Sequence, residues 1–94
     1  MTLEDRAKRY IEMTENALRI VKVAPSEESL LYKGGKDFIE MCRNYLNDSK
    51  YFFEKRDYEN SLAASSYAYA WLDAGVRIGI LSAPGDYKRF TQYS

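Results

Sequence analysis

Apolar and small residues recur in alternating steps of four and three along most of this chain, in three blocks separated by clear breaks. The first block runs Leu3, Ala7, Tyr10, Thr14, Ala17, Val21 and Ala24, widened by Ile11 and Leu18. Glu4, Asp5, Lys8, Glu12, Glu15, Arg19 and Lys22 occupy the other side. That period predicts an amphipathic helix with one buried face, ending at the break Ala24-Pro25-Ser26. Thr2 suits its N-cap, and Glu4 and Asp5 sit in the first turn, where the helix dipole favours acids. In the second block the stripe is Leu31, Gly35, Phe38, Cys42, Tyr45, Ser49 and Phe52, with Ile39, Leu46 and Phe53 beside it. With Ser26 as its N-cap, it predicts a helix from about Glu28 to Lys55. The pair Gly34-Gly35 lowers helix propensity by roughly 2 kcal/mol relative to alanine. The helix therefore either starts at Lys36 or runs through a weakened turn. Asp57 caps a third helix, predicted from Tyr58 to about Ser82 and stopped by Ala83-Pro84-Gly85-Asp86.

Connections this short make successive helices antiparallel neighbours. The expected fold is all-α: an up-down-up three-helix bundle over residues 1–83. A short C-terminal tail, 84–94, follows and is expected to lay Tyr87, Phe90 and Tyr93 on the bundle. The stretch from Tyr51 to Leu62 has the helix-turn-helix grammar of a tetratricopeptide unit, but one occurrence makes no stacked array. Lys33-Gly34-Gly35-Lys36 lacks the preceding strand and the spacing of a phosphate-binding loop.

The third helix differs from the other two. Its polar stripe is narrow (Ser66, Asp73 and Arg77, with Ala70 among them), and most of the remaining circumference is apolar, small or tyrosine. A helix of that kind is buried nearly all round, which two neighbours alone do not achieve. Ala64, Ala68, Gly75 and Gly79 line one side and permit close approach of another backbone. A second copy of the chain meeting it through Ala64, Ala68, Trp71, Gly75 and Ile78 would supply the missing cover. A homodimer is therefore expected, alone or together with the tail.

The segments from Tyr45 to Phe52, Asp57-Tyr58, and from Tyr67 to Gly79 resemble the small archaeal family known as domain of unknown function 357. The helical hairpin and the run Leu72-Asp73-Ala74-Gly75 carry the likeness most specifically. The resemblance implies an all-helical fold and an archaeal, cytoplasmic setting, and it implies no activity.

Composition narrows the chemistry. Fourteen basic and 14 acidic residues give zero net charge, which argues against nucleic acid or an anionic membrane bound by bulk electrostatics. The uncharged run Ser61–Leu72 is too short to span a bilayer, and the charged N-terminus has no apolar signal core. Histidine is absent. That excludes Ser-His and Cys-His nucleophile pairs, His-ligated zinc, Glu-x-x-His di-iron sites and the Arg-x-x-x-x-His nuclease arrangement of HEPN-type bundles. The single Cys42 lies in an apolar stripe and reads as a core residue. The nine tyrosines could stack nucleic-acid bases, but Tyr10, Tyr45, Tyr67 and Tyr69 fall on packing positions.

Carboxylates are what remains for chemistry. Asp73 and Arg77 are spaced for a within-helix ion pair. Alternatively, Asp48, Asp73 and Arg77 could line an interhelical groove for a small ligand or nucleotide, or Asp48 and Asp73 could hold magnesium through oxygen ligands. No catalytic residue, resident metal or cofactor is expected. The leading expectation is a cytoplasmic, non-enzymatic module that binds itself or another protein; the alternative is a ligand, metal or nucleotide binder using that groove.

Overall fold

Thr2 and Asp5 open the first helix reciprocally. Thr2 Oγ1 accepts the Asp5 N–H at 3.0 Å, and Asp5 Oδ2 accepts the Thr2 N–H at 3.3 Å, a capping box. The structure, a computed structural model, describes residues 1–83, so the expected packing of the 84–94 tail lies outside the described residues. Helix α1 spans Leu3–Ile20, shorter than the apolar stripe suggests. Its continuation, Lys22–Val23, is strand β1, paired antiparallel with β2, Leu81–Ser82, in the register Lys22 to Ser82 and Val23 to Leu81. The Ala24 N–H extends the ladder by donating to the Ile80 carbonyl at 3.0 Å. Pro25 disfavours helical backbone at Ala24, and β-branched Val21 and Val23 suit an extended strand.

Helix α2, Leu30–Glu54, is capped by Ser29, whose Oγ accepts the Leu31 N–H at 3.1 Å. Ser26, the expected cap, instead offers its carbonyl to the Ser29 N–H at 2.9 Å in the preceding turn. The helix runs straight through Gly34-Gly35. Helix α3, Tyr58–Arg77, begins at the expected Asp57, which accepts the Asn60 N–H on Oδ1 at 3.3 Å. It stops five residues short of Ser82. Gly79 turns left-handed at φ +85°, its N–H bonds the Val76 carbonyl, and the Ile80 N–H bonds the Gly75 carbonyl at 3.0 Å. These bonds form a Schellman stop. Gly79 thus ends the helix and does not form part of a close-packing face.

The three helices form the expected bundle, with α3 as the element that both others pack on. Its inner face is Ser61, Ser65, Ala68, Leu72 and Gly75, all buried. Where α2 crosses, Ser49 Oγ donates to the Ser61 carbonyl at 2.6 Å and Ser61 Oγ returns a bond to the Ser49 carbonyl at 2.9 Å. Where α1 crosses, Thr14 Oγ1 donates to the Ser65 carbonyl at 3.4 Å, flanked by the fully buried Ala7 and Ala17. Every buried hydroxyl at these crossings is hydrogen-bonded, so small polar residues tighten the bundle without leaving orphaned groups.

The strand pair closes one end of the core. Leu81, 2% exposed, lies against Gly75, where an added Cβ would fall 2.4 Å from Leu81 Cδ1. Gly35 seats the other strand: a Cβ there would meet Val23 Cγ1 at 2.7 Å and the Ile80 carbonyl oxygen at 3.0 Å. Gly34, one residue away, has no such neighbour within 4 Å. Adjacent glycines should therefore respond oppositely. Gly34→Ala gains about 0.5–1 kcal/mol from helix propensity alone. Gly35→Ala loses about 1 kcal/mol or more, because overpacking outweighs the same gain. Denaturant unfolding of both variants checks this, and equal signs would show that the strand pair is not seated on Gly35.

Candidate functional site

Of the residues proposed for a polar groove, the fold joins two. Arg77 Nε donates to Asp73 Oδ1 at 2.9 Å, one turn apart on α3, with side chains 41% and 24% exposed. The geometry is the simple i, i+4 ion pair, worth about 0.3–0.5 kcal/mol. Asp48 is exposed on α2 and belongs to a different level of the bundle. Its neighbour Ser49 meets Ser61, which precedes Asp73 by twelve residues, or about 18 Å along a helix rising 1.5 Å per residue. Antiparallel packing therefore keeps Asp48 from joining Asp73 and Arg77. Among the described residues, no three of the Cys, Asp and Glu side chains gather as a metal-binding set.

The expected interface stripe is divided by the fold. Ala68 is wholly buried against the core and Gly75 is covered by Leu81, so neither can meet a second chain. Ala64 and Trp71 are half-buried, and Ile78 is 65% exposed. The small residues do admit a close neighbour, but that neighbour is the chain itself. The outward face of α3 is one position removed: Ala63, Tyr67, Ala70, Ala74 and Ile78 are all exposed.

Between that face and α2 lies an almost wholly apolar groove of about 230 Å³, lined by Phe38, Tyr67, Ala70, Trp71 and Ala74. Trp71 packs edge-on to Phe38, with centroids 4.9 Å apart at 88°. Tyr67, 54% exposed, leans on Tyr45 with centroids 4.5 Å apart. The Trp71 indole N–H is shielded from solvent and has no acceptor among the described residues. A second, larger groove runs between α1 and α2, with Leu18 and Leu46 beneath charged rims. Spacing alone did not reveal it, because its two walls lie on separate helices. No helix among the described residues is long and apolar enough to cross a membrane.

Cys42 is fully buried in the core, as its stripe position implied. Burial pushes its thiol up to about 12, against a weaker downward pull from the Arg43 charge. A thiol held protonated is no nucleophile near neutrality. Because the folded value lies above the unfolded one, this stabilisation is complete below the ordinary thiol range and is lost as pH rises towards about 12. The stability advantage over Cys42→Ala should therefore shrink between about pH 9 and pH 12, by up to about 1.4 kcal/mol per unit. Parallel denaturation curves of the two proteins measure it, and a constant difference would contradict the buried-thiol account.

Comparison with curated proteins and with solved structures finds no match to the chain. A family described as protein of unknown function (DUF357) matches residues 9–81, from the middle of α1 to the first residue of β2. That span takes in the α3 spine, both seating glycines and both grooves, and the chain belongs to the DUF357 family.

Proposed function

We propose that this protein is a non-enzymatic interaction module of the cytoplasm that pairs with a second copy of itself through the outward face of α3. The observation that carries the reading is the outward order of exposed Ala63, Tyr67, Ala70, Ala74 and Ile78 with half-buried Trp71 at its edge, in which large and small side chains complement each other under two-fold symmetry. A second α3 laid antiparallel about the midpoint of Ala70 and Trp71 sets Ala63 opposite Ile78, Tyr67 opposite Ala74 and Ala70 opposite Trp71. Each bulky side chain then meets an alanine. Isologous interfaces require this self-complementarity, since the same patch must be both knob and hole.

The apolar groove beside Trp71 supports the same reading. Its lining carries almost no polar surface, which suits a hydrophobic side chain better than a polar substrate. A partner's Tyr67, set opposite Ala74, would enter at this edge. An unrelated protein helix offering a similar small-and-large stripe would fit the same face.

Sedimentation equilibrium over a concentration series tests the proposal. The wild-type chain should move from monomer to dimer as concentration rises. Ala70→Glu places a charge at the centre of the pairing and should leave a monomer at every concentration, with helical content unchanged because the site is exposed. A wild-type chain that stays monomeric throughout would overturn self-association.

A further inference from the structure

The groove between α1 and α2 offers a different chemistry. Its volume is about 550 Å³, within the usual range for small-ligand sites. Leu18 and Leu46 form an apolar floor, and Leu46 is only 4% exposed. Glu15 and Arg19 rise from α1, and Arg43, Asn47 and Lys50 from α2. Three cations thus face one carboxylate in a chain whose net charge is zero. Lys50 and Glu15 pair across the groove and neutralise each other.

The cationic donors left over for a ligand therefore belong to the two arginines. Arg43 gives one contact to Glu40, at 3.0 Å. Arg19 donates to the Asn16 side-chain oxygen at 2.7 Å and pairs with no carboxylate among the described residues. A guanidinium carries five N–H donors, so both retain most of theirs. Their planar forks match the oxygens of phosphate or carboxylate. The apolar floor gives no purchase to a bare ion, and the chain's neutrality gives none of the long-range field a polyanion exploits.

We propose that this groove binds a small amphiphilic anion, its phosphate or carboxylate head between Arg19 and Arg43 and its apolar body on Leu18 and Leu46. Asn47, with both donor and acceptor atoms at the rim, orients the bound molecule. The site stands apart from the α3 face, so its occupancy does not depend on self-association.

Titration of the full chain, followed by backbone amide chemical shifts, tests this with three probes. Phenyl phosphate carries both head and body, inorganic phosphate the head alone, and benzyl alcohol the body alone. Phenyl phosphate should shift the amides of Leu18, Arg19, Arg43, Leu46 and Asn47 and bind about tenfold more tightly than either other probe. Arg19→Gln and Arg43→Gln should each weaken it about fivefold or more, while Lys33→Gln, exposed elsewhere on α2, changes nothing. Both arginines are exposed, and unchanged melting of the variants confirms that the fold is intact. Equal binding of inorganic phosphate would reduce the site to a charge patch, and equal binding of benzyl alcohol would reduce it to an apolar crevice. Shifts centred on Phe38 and Trp71, or no shifts at all, would also overturn the proposal.

Discussion

The structure depends on one inner face of α3, on which Ser61, Ser65, Ala68 and Gly75 are small enough for three other elements to close on a single helix. At Ser61 and Ser65 the crossing helices come near enough for hydroxyls to reach the opposite backbone. At Gly75 the same economy admits Leu81 and, through it, the strand pair. Leu72, fully buried, and Tyr69, 6% exposed, are the large side chains that α3 adds to the core. A small domain has little apolar area to spend, so close approach has to supply in dispersion contacts what a larger core would supply in volume.

Both candidate sites follow from that arrangement. Helices α1 and α2 each pack on α3 more extensively than on each other, which leaves the cationic groove along their shared edge. With the inner face of α3 used inside the chain, the outward alanines and Tyr67 are the residues of α3 on which the proposed self-association rests. The glycines and alanines of α3 are therefore divided by direction. Ala68 and Gly75 serve the fold, whereas Ala63, Ala70 and Ala74 are exposed on the outward face.

Much of this was legible in the sequence. The three helices, the Thr2 and Asp57 caps, the central place of α3 and the core position of Cys42 all follow from a 3.6-residue period and cap chemistry. The two short strands were not legible, because two residues cannot display a period of two. Val21 and Ala24 also continue the helical stripe right through them. The roles of Gly35 and Gly75 depend on what lies opposite, and Val23 and Leu81 are distant in sequence. Asp48 and Asp73 do sit on neighbouring helices, as expected. Their separation is set by the antiparallel register that Ser49 and Ser61 fix, which residue spacing along one helix does not encode. The α1–α2 groove escaped for a similar reason, since its arginines look like ordinary solvated positions on each helix alone.

The claim that α3 is the spine of the bundle is tested most directly by native-state amide hydrogen exchange across all three helices. Inner-face amides of α3, from Ser65 to Gly75, should exchange only through global unfolding and with the full unfolding free energy, while α1 opens at a lower cost. Exchange of those α3 amides through local openings cheaper than those of α1 would contradict it.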